Sequence, residues 1–196
     1  AQGFGKLPID VDTMGIDLMS ITAHKIYGPK GVGVLYRRPF TVITPLLHGG
    51  GQEDGRSGTL PTALIAGLGE AARIAGERMA ADLAHALQLR ERLLAGLSVL
   101  HRINGDLDRR WPGNLNLRLD GLNFPRLLSD CRTIAFSAGS ACGSGTGAPS
   151  RVLTAIGLDP KEARNSIRLG FGRYTTAQDI ETAAAAICAA AKEQGL

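Results

Sequence analysis

The sequence is poor in cysteine and aromatic residues and has no long apolar run. Its three cysteines, Cys131, Cys142 and Cys188, are odd in number and widely spaced, which fits neither a disulfide framework nor a zinc site. We therefore expect no metal site, and a reducing compartment such as the cytoplasm. No apolar run approaches the roughly 20 residues that cross a bilayer, so we expect no membrane partner.

The 196 residues also lack a concentrated block of either charge. The formal net charge is +4, the basic residues are scattered, and aromatic residues make up only 5% of the chain. This pattern excludes the basic, aromatic-rich surface typical of nucleic-acid binding. A mildly basic surface still favours an acidic protein partner or an anionic substrate. With 44% hydrophobic and 20% charged residues, the composition is that of a globular protein with one sizeable core or two modest ones.

The first part of the chain alternates short strands with glycine-rich turns. Residues 17–22 read as a short buried strand, and residues 32–36 read as a second strand after the turn at 28–31. A glycine-rich loop covers residues 48–61. Residues 62–97 then follow a helical pattern.

The helical stretch predicts both a buried face and a domain boundary. Four of its leucines fall close to one side of the helix, and these are Leu83, Leu87, Leu94 and Leu97. We place the boundary within this stretch, which divides the chain into residues 1–78 and residues 79–196.

The second part has the pattern of a mixed helix and strand unit. Apolar residues alternate strictly over residues 114–119 and again over 166–171, which predicts two half-buried strands. Residues 133–137 are a further strand candidate. Ser150 is placed to cap a short helix over residues 151–156.

The last helix has its own start signal. Thr176, with Asp179 three residues later, predicts a capping box at its first turn. The predicted apolar stripe of this helix consists of Ile180, Ala184 and Ile187.

Cys142 lies in a run of small residues, SAGSACGSG, at positions 137–145. A structural cysteine usually lies among large apolar neighbours, whereas a reactive thiol needs exposure and an adaptable backbone. Cys142 is therefore a candidate nucleophile, with a passive loop residue as the alternative. Cys131 and Cys188 lie in apolar settings and are predicted to be core residues.

Lys25 follows the end of the first predicted strand, where ligands gather in open α/β sheets. A lysine amine held in partly apolar surroundings is available to form a Schiff base. Thr22 and His24 add hydrogen-bonding groups suited to a phosphate or a ring. The alternative is a surface lysine near a turn.

Arg168 alternates with the apolar residues Ile167, Leu169 and Phe171, so it faces the other way along its strand. A guanidinium there is able to meet a carboxylate through two parallel hydrogen bonds. The alternative is a solvated strand arginine.

Four motifs in this order resemble those of the cysteine desulfurases, pyridoxal-phosphate enzymes of the class V aminotransferase family. They are HKIYGPKG at residues 24–31, RSGTLP at 56–61, SAC at 140–142 and SIR at 166–168. The resemblance implies an α/β fold: the later part of a fold-type I pyridoxal-phosphate large domain, followed by a smaller α+β C-terminal domain that carries the cysteine loop.

The resemblance also implies roles in binding pyridoxal 5'-phosphate. Lys25 resembles the lysine that binds the cofactor covalently, and Thr22 and His24 resemble residues that bind its phosphate. Gln2 resembles a glutamine that hydrogen-bonds the ring oxygen. Thr59 resembles a threonine that reaches the phosphate of the neighbouring subunit, which implies a homodimer.

The remaining implied roles concern substrate and product. Arg168 resembles the arginine that holds the carboxylate of L-cysteine, and Cys142 resembles the cysteine that takes the sulfur as a persulfide. The implied reaction yields L-alanine and passes sulfur to a protein acceptor such as an iron–sulfur scaffold, for iron–sulfur cluster assembly or other sulfur transfer.

The family's site also needs residues expected before Ala1, among them an aspartate that pairs with the cofactor's ring nitrogen. We therefore expect this chain to be the later part of a longer protein and to be inactive alone. Two alternatives stay open. One is a class V relative acting on another amino acid, and the other is a non-catalytic remnant that serves as a binding module.

Overall fold

The computed structural model of the chain describes residues 1–53, 55–138 and 150–196. They form two compact units, Ala1–Ala80 and Ala81–Leu196. No helix in these ranges is long and apolar enough to cross a membrane. In chain order the elements are β1 (Leu18–Thr22), a 3₁₀ turn (Ala23–Ile26), β2 (Gly33–Arg37), α1 (Thr62–Gly96), β3 (Arg102–Ile103), β4 (Asn114–Arg118), α2 (Phe124–Asp130), α3 (Arg151–Ala155), α4 (Pro160–Arg164), β5 (Ser166–Gly170) and α5 (Ala177–Lys192).

The first unit contains an antiparallel pair of strands. β1 and β2 pair from Leu18 with Arg37 to Thr22 with Gly33, which confirms that both predicted strands form. The predicted burial of the first strand is wrong, because no residue of β1 is buried and Leu18 is 47% exposed. A Cβ atom at Gly33 would lie 2.6 Å from the carbonyl oxygen of Ile21, so only glycine fits at this end of the pair. The pairing fixes where β1 ends and the next turn begins.

The long helix α1 confirms the predicted helical stretch, but the predicted leucine face is only partly right. Leu83 is 37% exposed, whereas Ala86 and Leu89 are buried. In the second unit, the buried face of α1 begins at Asp82, whose carboxylate accepts hydrogen bonds of 2.9 and 2.6 Å from the Arg173 guanidinium. A search for regularly spaced apolar residues does not select Asp82, because a charged residue is buried only when it has a partner.

The second unit is built on a three-stranded antiparallel sheet in the order β3-β4-β5. Leu115 and Leu117 of β4 and Ile167 and Leu169 of β5 are buried in one apolar core, which confirms the two alternating strands. Helices α1 and α5 supply much of the rest of that core. The sheet therefore holds one face of β5 firmly inside the protein.

The strand predicted at residues 133–137 is wrong. The chain turns there, with the Ile134 amide donating to the Cys131 carbonyl, and only Ser137 bridges to β5. Because these residues form the turn that follows α2, their backbone groups are not available for pairing with a neighbouring strand.

The helix starts follow local capping chemistry. The Thr176–Asp179 capping box is present at the start of α5, as predicted. Helix α3 also forms, but the Ser150 side chain makes no cap hydrogen bond. Helix α4 was not predicted, although the Asp159–Glu162 capping box that begins it is a readable signal.

Candidate functional site

The turn after β1 presents the predicted lysine. In the 3₁₀ turn Ala23–Ile26, residues three apart lie on one side, and both Ala23 and Ile26 are buried. Lys25 is half-buried and His24 is exposed. The two apolar residues thus anchor the turn while the basic side chains extend from it.

Thr22 and His24 are joined directly. The Thr22 Oγ1 atom lies 2.9 Å from His24 Nδ1, so a hydrogen bond orients the imidazole ring. One donor of the pair is used in this hydrogen bond, and the donor that is left, on the ring or on the hydroxyl according to the tautomer, suits an anionic group with acceptor oxygens. Of the predicted site residues, the structure brings together Thr22, His24 and Lys25.

Small residues hold this turn against helix α1. A Cβ atom at Gly28 would lie 2.9 Å from the Ala71 Cβ and 3.1 Å from the Ala23 carbonyl oxygen. One at Gly67 would lie 3.1 Å from Pro29. Close backbone approach therefore sets the position of the lysine turn, and it depends on glycine at these points.

Replacing Gly28 with alanine is expected to lower the free energy of unfolding by about 1–3 kcal/mol, because the added methyl has no room. Gly69→Ala is the matched control: this helical position has nothing within 4 Å, so we expect a gain of about 0.5–1 kcal/mol. Urea unfolding of the full-length variants measures both. Equal stability in the two variants would contradict the packing described.

Lys6 lies in the same region and was missed by the sequence analysis. Gly5, with φ +72°, is so close that a Cβ atom would lie 2.8 Å from the Ile26 Cγ2 atom. Burial lowers the pKa of Lys6, and the positive charge of Lys25 lowers it further. The amines of Lys6 and Lys25 therefore lie in the same part of the first unit. No regular spacing in the sequence predicts that these two lysines come close.

Gln2 and Thr59 are both exposed, in segments outside helices and strands. Within the described residues, neither side chain hydrogen-bonds to the Lys25 turn. Their assigned roles stay predictions.

Arg168 occupies the middle of β5 in the second unit, opposite Asn116 of β4. Its amide donates to the Ser137 carbonyl at 2.6 Å, and its carbonyl accepts from the Ser137 amide at 3.1 Å. Because Ile167 and Leu169 point into the core, Arg168 lies on the other face and is half-buried. Its backbone is thus held on both sides, and Ser137 comes shortly before the segment that contains Cys142.

The resemblance implies that Arg168 holds the carboxylate of L-cysteine; if it does, replacing Arg168 with lysine should lower kcat/KM for cysteine roughly 10- to 100-fold, chiefly through KM. Lysine keeps the charge but loses the two parallel hydrogen bonds to a carboxylate. Arg164→Lys, at an exposed position of α4, is the control and should leave kcat/KM unchanged. Steady-state kinetics test this role, and an unchanged KM in Arg168→Lys would contradict it.

The structure describes two of the three cysteines. Cys142 lies outside the described residues, so its role stays a prediction. Cys131 and Cys188 are buried free thiols, which confirms them as core residues. Burial raises the pKa of Cys131, and the charge of Asp130 raises it further, so its nucleophilic thiolate form is disfavoured.

The sequence profile described as Aminotransferase class-V matches residues 1–182. The chain belongs to this family. Among curated proteins, it is 50% identical to "Cysteine desulfurase IscS" of Rickettsia bellii over 96% of this chain and 47% of that protein. It is 51% identical to "Cysteine desulfurase, mitochondrial" of Eremothecium gossypii over 92% of this chain and 38% of that protein. The chain therefore spans about half the length, or less, of the curated relatives it matches.

Solved structures agree with the family. A structure titled "NIFS-LIKE PROTEIN" matches with a TM-score of 0.87 at 31% identity, over 98% of this chain and 51% of that one. DndA from Streptomyces lividans matches with a TM-score of 0.69 at 38% identity, over 88% of this chain and 51% of that one. These matches confirm the α/β, fold-type I assignment and the resemblance to cysteine desulfurases. Both families depend on pyridoxal phosphate.

Proposed function

We propose that this chain belongs to a pyridoxal-phosphate-dependent cysteine desulfurase, which converts L-cysteine to L-alanine and keeps the sulfur as a persulfide. One observation carries the proposal. The half-buried Lys25 stands on a rigid turn beside the hydrogen-bonded Thr22–His24 pair, in a chain about half identical to curated desulfurases over most of its length. The division into a cofactor-binding domain at 1–78 and a small domain at 79–196 is part of the proposal, and two compact units support it.

The residues of the turn fit the cofactor. Lys25 offers an amine for a covalent bond to its aldehyde carbon, and Thr22 and His24 offer an oriented hydroxyl and imidazole for its phosphate. Gln2 would hydrogen-bond the ring oxygen, and Thr59 would reach the phosphate of a neighbouring subunit. When bound, pyridoxal phosphate supplies an electron sink for the substrate α-carbon.

The chain's own residues then perform the remaining work. Arg168 binds the substrate carboxylate and so orients the amino acid. Lys25, as a free amine, moves the proton at the α-carbon. The Cys142 thiolate attacks the substrate sulfur, so that an S–S bond forms as the Cβ–S bond breaks. Proton uptake at carbon then yields alanine, and the persulfide stays on Cys142.

The proposal extends to where the sulfur goes. A persulfide needs an acceptor, and the relatives named IscS support a protein acceptor such as an iron–sulfur scaffold. The net charge of +4 favours an acidic one. The buried free thiols of Cys131 and Cys188 support a reducing compartment such as the cytoplasm.

We include a homodimer in the proposal because the role that the resemblance implies for Thr59 needs a neighbouring subunit, and we place an exposed apolar segment of the first unit in the contact. Phe40, Val42 and Leu46 are 101%, 93% and 91% exposed, although large apolar side chains are normally covered. A second subunit would cover them and would bring the phosphate that Thr59 is proposed to reach.

Val42→Asp is expected to raise the dimer dissociation constant about tenfold or more, because it places a charge in the apolar contact. Leu100→Asp is the control, since Leu100 is comparably exposed at 87% but lies in the other unit. Sedimentation of the full-length variants measures dissociation. A dimer that tolerates Val42→Asp as well as Leu100→Asp would contradict this interface.

The test of the function is the reaction of the full-length protein with L-cysteine. We expect alanine and sulfur in equal amounts when a thiol reductant accepts the sulfur. A class V enzyme acting on another amino acid would release no sulfur from cysteine, and a binding module would form neither product. Either of those results would overturn the proposal.

A further inference from the structure

Arg168 belongs to a row of polar residues that crosses the sheet of the second unit. It lies opposite Asn116 of β4 on one side and opposite Ser137 on the other. Residues directly opposite in antiparallel strands share a face of the sheet. The Asn116 carbonyl also accepts a hydrogen bond of 3.0 Å from the Asn104 amide, which extends the row beyond the end of β3. These polar side chains therefore occupy the face of the sheet that is turned away from the apolar core.

Asn116 and Arg168 form the closer of the two kinds of antiparallel pair. The Arg168 amide donates to the Ser137 carbonyl at 2.6 Å, and the Arg168 carbonyl accepts from the Ser137 amide at 3.1 Å. The backbone of Arg168 is therefore turned towards Ser137 and exchanges no hydrogen bond with Asn116. Opposite residues in such a pair have Cα atoms about 4.5 Å apart, against about 5.5 Å in a hydrogen-bonded pair. Because arginine is the longer residue, the short Asn116 side chain lies beside the aliphatic stem of Arg168.

A buried cluster fixes the Asn116 side chain. Asn104 Nδ2 donates to Asn116 Oδ1 at 2.6 Å and to Ser166 Oγ at 2.9 Å. Ser166 Oγ in turn donates to the Glu162 carbonyl at 2.8 Å. Asn104 is 5% exposed and Ser166 is fully buried, so these hydrogen bonds are shielded from water. A hydroxyl has a single hydrogen to donate, so the order of donors and acceptors is set and Asn116 is held in one orientation.

The same cluster closes one side of Arg168. Ser166 and Gly170 lie two residues before and two residues after Arg168, so both share its face of β5. Ser166 is fully buried. Gly170 is exposed, and a Cβ atom added there would meet nothing within 4 Å. The half-buried Arg168 side chain therefore has its open side towards Gly170.

We propose that Asn116, fixed by Asn104, is a positioning residue for Arg168. It packs against the arginine stem and so holds the guanidinium where it meets the substrate carboxylate. This inference rests on the substrate-binding role proposed for Arg168. Without this support the arginine keeps its charge, but it loses more side-chain freedom when it binds a carboxylate. Asn116 therefore contributes to the affinity for amines that carry a carboxylate and to no later step.

Binding of L-alanine and of ethylamine to the full-length protein, loaded with pyridoxal phosphate, tests this role. Ethylamine is alanine without its carboxylate, and the visible absorption of the cofactor reports the binding of either amine. Asn116→Ala should raise the dissociation constant of L-alanine about 5- to 10-fold and that of ethylamine less than about twofold. Asn114→Ala is the matched control, because Asn114 lies on the same face of β4 but is exposed and opposite Gly170. It should change neither constant.

A second comparison measures whether Asn116 acts through Arg168. In the parent protein, Asn116→Ala should raise the KM for L-cysteine about 5- to 10-fold and leave kcat unchanged. In the Arg168→Lys background the same change should raise KM less than about twofold, because the group that Asn116 positions is already gone. Equal effects in the two backgrounds would overturn the proposal.

Three outcomes of the amine titrations would also overturn it: unchanged L-alanine binding in Asn116→Ala, an equal loss for ethylamine, or the same loss in Asn114→Ala. If Asn116→Ala does not fold, Asn116→Asp replaces it. This variant keeps an acceptor for the Asn104 amide but places a carboxylate beside Arg168, so it should weaken L-alanine binding at least about tenfold. Unchanged binding there would count against the proposal.

The titrations need no desulfuration, so the two proposals fail separately. A protein that desulfurates cysteine but shows none of these effects contradicts the positioning role alone. One that shows the effects but releases no sulfur contradicts the proposed function alone.

Discussion

Replacing Lys25 with alanine is expected to lower cysteine desulfuration by about 10³-fold or more, because one change removes both the covalent anchor of the cofactor and the group that moves the α-proton. The turn should survive the change. Ala23 and Ile26 hold it through buried contacts, whereas the half-buried Lys25 side chain is not among them.

The control for Lys25→Ala is Lys30→Ala. Lys30 is exposed in the same glycine-rich segment and has no assigned role, so its variant should keep full activity. Alanine production and the visible absorption band of the covalently held cofactor are the two measurements. Retention of that band in Lys25→Ala, or equal losses in the two variants, would contradict the assignment.

Replacing Cys142 with serine is expected to lower sulfur transfer to a protein acceptor by about 10³-fold, because a serine hydroxyl is not ionised near neutral pH and cannot hold a persulfide. The cofactor band should be unchanged, since Cys142 has no part in holding the cofactor. The variant therefore separates sulfur acceptance from cofactor binding.

Cys131→Ala is the matched control for Cys142. Its thiol is buried and its pKa is raised, so we expect sulfur transfer to continue with at most a loss of stability. Transfer to a protein acceptor that persisted in Cys142→Ser and disappeared in Cys131→Ala would reverse the roles assigned to the two thiols.

Local chemistry explains what the sequence could predict. The strand ending at Thr22, the turn that carries Lys25 and the capping box at Thr176 all depend on residues within a few positions of one another. The same holds for the alternation that places Arg168 on one face of β5. These features were read correctly because no distant contact competes with them.

The features that could not be predicted from the sequence depend on contacts between residues far apart in the chain. In the second unit, the buried face of α1 begins with the charged Asp82, whose burial is explained by its ion pair with Arg173. The approach of Gly28 to Ala71 joins positions more than forty residues apart. The two hydrogen bonds between Ser137 and Arg168, found where a strand was predicted, join positions about thirty residues apart. No periodic pattern in the sequence predicts any of these contacts.

Mass-spectrometric mapping of sulfur on the full-length protein after reaction with L-cysteine tests directly whether Cys142 receives the substrate sulfur. We expect one added sulfur atom on the peptide containing Cys142, with one alanine formed for each sulfur bound. We expect none on the peptides containing Cys131 or Cys188. Sulfur on either buried cysteine, or persulfide formed without alanine, would contradict it.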